Sequence, residues 1–133
     1  MEFARWTEDL VTGHPQVDTQ HRRWYALVNE LHEAIVAGRG DEVLGAALRA
    51  VYDYTDFHFS AEEGLMQAHH YPAFGSHRAT HLALKRQVKD LIERNATRKV
   101  LPLTVGLFLG NWLRDHIETV DRRFIEWERA AAR

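Results

Sequence analysis

Residues 44–65 read LGAALRAVYDYTDFHFSAEEGL. Within this stretch Leu44, Leu48, Val51, Thr55, His58, Glu62 and Leu65 recur at steps of three and four. A helix turns about 100° per residue, so those steps return to one face. The stretch therefore predicts a long amphipathic helix, and no segment of the chain alternates with the period of two that a strand requires. The stripe also changes character along its length. It starts apolar and ends on an imidazole and a carboxylate, His58 and Glu62, one turn apart.

Three further stripes of the same period lie on either side. Val17, His21, Trp24, Val28, Leu31 and Ile35 predict a first helix over about 18–37, with Asp18 as its N-cap and Gly38-Arg39-Gly40 as its stop. The quoted stretch belongs to a second helix over about 41–68. Phe74, His77, His81, Leu84, Val88 and Leu91 predict a third over about 74–94. Val105, Leu109, Trp112, His116, Val120, Phe124 and Trp127 predict a fourth over about 102–129, with Pro102 in its first turn. All three prolines, Pro15, Pro72 and Pro102, fall between helical patterns, where they suit starts and stops. Residues 1–17 read as an irregular arm anchored on the core by Trp6. Four long amphipathic helices with short connections make an all-α, up-down-up-down four-helix bundle of one domain over 1–133.

Composition narrows the class. The 133 residues are 45% hydrophobic and 27% charged, enough to bury one core. The net charge is -2, which gives no electrostatic case for nucleic acid or an acidic membrane surface. There is no cysteine, so disulfides, thiolate metal sites and cysteine nucleophiles are excluded. No stretch approaches the roughly 20 apolar residues of a membrane span, and residues 1–6 carry no apolar leader pattern, so a cytoplasmic protein is expected. The basic stretch Arg94–Lys99 reads as a solvated connection. The one anomaly is histidine, with 9 residues.

Five of those histidines fall on the inner stripes. His21 comes from the first helix, His58 and Glu62 from the second, His77 and His81 from the third, and His116 and Asp121 from the fourth. An uncompensated buried carboxylate costs several kcal/mol, so two of them among five imidazoles point to a bound cation. Seven side chains exceed the four ligands of a structural zinc site, and magnesium and calcium prefer oxygen. Two transition ions fit if both carboxylates bridge; three imidazoles then serve one ion and two the other, which keeps an open position. Imidazole with carboxylate suits iron, and ligand type alone leaves zinc, manganese and cobalt open. His116 and Asp121 are five residues apart, about 140° on an ideal helix. A π-type turn aligns i with i+5, so a distortion of the fourth helix is expected between Asp115 and Asp121.

The segments Val17–His21, His58–Glu63, His77–His81 and His116–Asp121 resemble the signature of the hemerythrins, and most closely the single-domain bacterial branch. The resemblance spans nearly the whole chain. It implies a non-haem di-iron centre, oxo- or hydroxo-bridged, that binds O2 reversibly. By that likeness His77, His81 and His116 hold a saturated iron, His21 and His58 hold the iron with the open position, and Glu62 and Asp121 bridge them. Trp112 and Leu113 look like the family's pocket wall. The implied ligand is O2, the same position being open to nitric oxide or small anions, and an oxygen-consuming enzyme is the implied recipient.

Three functions are weighed on this basis: an oxygen carrier or store, a sensor of oxygen, nitric oxide or redox state working through a separate partner, and a di-iron reductase of nitric oxide or peroxide. Di-iron oxidases of ferritin-like bundles carry about four carboxylates and two histidines. Here imidazole dominates, which favours the reduced state and binding over turnover, so no enzyme is expected. Of the other polar residues, His14, His32, His69 and His70 read as surface or helix-end histidines. Glu63 reads as solvated or as backing a ligand. Spacing does not place Tyr25 or Tyr54 at the site.

Overall fold

The computed structural model describes residues 5–97 and 100–131, and among them there is helix and no strand. A short 3-10 turn, Glu8–Leu10, precedes α1 (Pro15–Val36), α2 (Gly40–Ala68), α3 (Phe74–Thr97) and α4 (Pro102–His116). A π-helical turn, Ile117–Asp121, then leads into α5 (Arg122–Ala131), so that α4, the π turn and α5 form one continuous fourth helix. α1 packs against α2 and α4, and α2 against α3, in a four-helix bundle.

Local chemistry sets the ends. Gly38 adopts φ +77, and the amides of Gly38 and Arg39 return to the carbonyls of Ile35 and Ala34 at 3.0 and 2.8 Å, closing α1 as its sequence suggested. α1 starts earlier than the sequence reading. Pro15 occupies the first turn and His14 is the cap, its Nδ1 accepting from the Val17 amide at 3.3 Å. Asp18 is therefore not the N-cap. Its carboxylate accepts from the Thr12 amide (2.9 Å), the Thr12 hydroxyl (2.8 Å) and the Gly13 amide (3.0 Å), and so ties the arm to α1. Trp6 packs on the core, edge-on to Tyr25 with Arg22 over its ring, and Leu10 is fully buried. α3 runs past Arg94 to Thr97, and Arg98 and Lys99 of the basic stretch lie outside the described residues.

The core is divided in two. A large cluster holds Trp24, Val28, Leu31, Leu44, Leu48, Val51, Phe59, Leu84, Val88, Leu109 and Leu113. A small one at the other end holds Val17, Met66, Phe124 and Ile125, with Phe74 packed against it. Following any helix from the small cluster to the large one passes the ligand-type residues in between. α1 runs Val17, His21, Trp24; α3 runs Phe74, His77, His81, Leu84. This common order brings His116 level with the others.

The π turn changes the register of the fourth helix. Val120, expected on the inner stripe, is only half-buried, while Ile117, Asp121 and Phe124 are buried. One extra residue in the turn carries Val120 off the core face and swings Asp121 onto it. The distortion lies where the five-residue spacing placed it.

Candidate metal centre

The structure brings all seven residues together between the two apolar clusters. His21, His58, His81 and Asp121 are fully buried, and Glu62, His77 and His116 are 1%, 2% and 4% exposed. Their donor atoms fall into two groups, each within 4.8 Å across: Glu62, His77, His81, His116 and Asp121, and His21, His58, Glu62 and Asp121. The two carboxylates belong to both groups, three imidazoles to one and two to the other.

The nitrogens converge too closely for a dry core. His21 Nε2 lies 3.1 Å from His58 Nε2, and His81 Nε2 lies 3.2 Å from His116 Nε2. Asp121 has His77 and His116 at 2.9 Å on Oδ1 and His21 at 2.9 Å on Oδ2. Glu62 Oε1 has His77 at 2.8 Å and His81 at 3.3 Å. Yet both Glu62 oxygens and Asp121 Oδ2 are buried without a well-aligned hydrogen bond.

Partners on the far side of two rings fix where their protons sit. His58 Nδ1 donates to Gln20 Oε1 at 2.7 Å, and His81 Nδ1 donates to the Glu63 carboxylate at 3.0 Å. Both acceptors call for a proton on Nδ1, so in the neutral ring each Nε2 offers its lone pair to the centre. Lone pairs and carboxylate oxygens thus crowd one buried volume with too few protons between them. Cations resolve that crowding, and an imidazole-rich, carboxylate-bridged donor set fits two borderline transition ions.

Electrostatics follow from the same crowding. Burial raises the Asp121 carboxyl, but the neighbouring His116, His21 and His77 outweigh it and hold it well below the usual range. Glu62 is likewise lowered, burial and the Asp121 charge being overcome by His77, His81 and His58. Burial pulls His77 down, yet Asp121 and Glu62 push it up to about 9. Burial lowers His58 to about 4.

Aromatic rings hold the shell. Phe59 stacks on His81 at 3.6 Å with 5° between planes, and Trp24 approaches His58 at 5.3 Å. Trp112 stacks on His116, and Leu113 is 1% exposed within the large cluster. Gln20 was missed by sequence reasoning, although it directly precedes His21. Glu63 reaches His81 from the neighbouring helix while remaining partly solvated. Tyr54 approaches through Gln20, donating to its backbone carbonyl at 2.9 Å. Tyr25 faces the arm and Trp6 instead. His14 caps α1, His69 closes α2, and His70 is an exposed turn residue with φ 55.

Comparison with known proteins gives a consistent result. Residues 12–127 match the family model described as Hemerythrin HHE cation binding domain. A bacteriohemerythrin of Methylococcus capsulatus is 32% identical over 126 residues, covering 93% of this chain and 95% of that protein. One from Stenotrophomonas maltophilia is 30% identical over 130 residues, covering 98% and 84%. The crystal structure of a wild-type hemerythrin superposes with a TM-score of 0.82 at 31% identity, covering 90% of this chain and 93% of that one. A hemerythrin variant with a leucine replaced by alanine gives 0.84 at 30% identity, covering 93% and 95%.

Proposed function

The chain belongs to the hemerythrin family, and from that premise we propose that it is an oxygen carrier or store. It binds O2 at a non-haem di-iron centre. In the proposed assignment His77, His81 and His116 would hold one iron and His21 and His58 the other, with Glu62 and Asp121, which belong to both groups, shared between them. The observation that carries it is the division of the donor atoms into groups of three and two imidazoles that share both carboxylates. The group with fewer ligands keeps a position for O2.

When bound, the irons supply the redox chemistry that O2 binding needs. The chain's residues hold and shelter them. Gln20 and Glu63 set the tautomers of His58 and His81, so that each Nε2 is already a lone pair when iron arrives. Trp24, Phe59 and Leu113 wall the layer on its apolar side and keep water and protons out. Two carboxylates among five imidazoles place little negative charge on the irons, which favours the reduced state and supports carriage over turnover. Delivery to an oxygen-consuming enzyme, in the cytoplasm, belongs to the same proposal, as do nitric oxide and small anions as competing ligands. Among the described residues no helix is long and apolar enough to cross a membrane.

The test is anaerobic reduction of the iron-loaded protein, followed by optical spectra as O2 is admitted and removed. A stable adduct that reverses under vacuum is expected; rapid oxidation without an adduct, or sustained turnover with a reductant, contradicts carriage. His77→Ala and Glu62→Ala should each abolish di-iron loading. Two irons per chain in either variant would overturn the ligand assignment.

A further inference from the structure

We infer that the cleft walled by Thr80, Trp112, Asp115, Thr119 and Val120 is the route by which ferrous iron enters and leaves the centre. The inference rests on the ligand assignment proposed above. Of the five imidazoles only His116 and His77 touch the surface at all, at 4% and 2% exposure. Both belong to the group of three. Each lines its own surface cleft of about 210 Å³, and the two clefts share Thr80 and Val120 as their dividing wall. Neither cleft is lined by His21 or His58, which hold the position open to a small ligand. The clefts therefore reach the iron that has no vacancy, a useful approach for the metal and a poor one for its ligand.

The chemistry separates the two clefts. On the His116 side, the Thr119 hydroxyl donates to the Asp115 carbonyl at 2.6 Å, while the hydroxyl of the shared Thr80 donates to the His77 carbonyl at 2.7 Å. Their protons are committed to backbone, so these oxygens have only lone pairs left to offer. Asp115, exposed at the rim, adds a carboxylate that attracts a dication. On the His77 side the rim carries the Arg123 guanidinium, which repels one. The wall between them is the residue that the π turn displaces from the core, Val120. A π turn is the least regular part of a helix, and here it carries Asp121 on one side and a gate residue on the other.

The test uses the diferrous holoprotein under anaerobic conditions, chased with a heavy iron isotope and read by native mass spectrometry. Exchange should slow about tenfold in Asp115→Lys at low salt, and the difference should shrink as salt screens the charge. Val120→Phe, which narrows the same cleft, should also slow exchange. Ser76→Trp, which fills the His77-side cleft, should exchange at the unsubstituted rate. Wild-type exchange in Asp115→Lys overturns the inference, as does slowing confined to Ser76→Trp. Asp115 is a surface residue, so its variant remains informative even if Val120→Phe folds poorly. Fewer than two irons per chain in the unsubstituted protein would sink the ligand assignment itself, a separate outcome.

Discussion

The indole of Trp112 lies flat on the imidazole of His116, with ring centroids 4.4 Å apart and 16° between planes. The same indole meets Trp24 edge-on at 6.0 Å, so the stack is braced from the α1 side. A ring held in this way cannot rotate its Nε2 away from Asp121. Stacked aromatic pairs are worth about 0.5–1.5 kcal/mol beyond the area they bury. Trp112→Ala should therefore destabilise the protein by roughly 2 kcal/mol, below the about 3–5 kcal/mol of a fully buried aromatic because Trp112 is half-buried. Denaturant unfolding of the iron-loaded protein measures it, and Trp112→Phe should recover most of the loss. An alanine variant as stable as the parent would make the stack incidental.

Gln20 Oε1 accepts from His58 Nδ1 at 2.7 Å. Replacing it by alanine frees the His58 proton to move to Nε2, where it competes with metal. Partners of this kind are typically worth about 10–100-fold in metal affinity. Gln20→Ala should weaken one of the two irons by that order, measured by chelator competition, while Gln20→Glu, which keeps an acceptor oxygen, should retain affinity. Equal affinity in all three proteins would show that His58 is oriented by packing alone.

Periodicity carried much of this molecule because the same stripes both bury the core and deliver the seven polar residues to one layer. Even the π turn was legible, since His116 and Asp121 are five residues apart and both had to face inward. What periodicity does not record is how far a side chain reaches toward a different helix. Gln20 and Glu63 each sit beside a ligand-type residue in sequence yet serve a histidine on another helix, and only the interhelical spacing decides that. Asp18 misled for a related reason. A carboxylate near a helix start can accept amides of its own first turn or of the chain before it, and the composition of the segment is the same in both cases.

Leu113 is 1% exposed and precedes Asp115 and His116 on the helix that carries the π turn. Leu113→Ala removes its buried methyls and leaves a cavity, at a cost of about 3 kcal/mol. A polar replacement would in addition admit water to the layer. Both changes should shorten the lifetime of the oxygenated protein, since water and protons promote oxidation of the centre. Stopped-flow decay of the oxygenated spectrum checks this, and an unchanged lifetime alongside the expected loss of stability would confine Leu113 to packing.

In the metal-free protein two histidines of the centre are displaced in opposite directions. Burial alone would lower His77, but Asp121 and Glu62 push it up to about 9. Burial lowers His58 to about 4. The ordinary histidine value is about 6.5. A raised folded value means that protonated His77 stabilises the metal-free chain fully below about 6.5 and that this contribution disappears as pH rises through about 9. For His58 the sign reverses: its contribution is present above about 6.5 and is lost as pH falls through about 4. At neutral pH His58 is therefore ready to bind metal, whereas His77 must first release a proton. Affinity for cobalt(II), followed by competition with a chromophoric chelator, should climb between about pH 7 and 9 with a slope approaching one proton, then level off. The stability of the metal-free chain should fall over that same interval. A flat affinity profile there would mean that His77 is already neutral, and that Asp121 and Glu62 do not hold its proton.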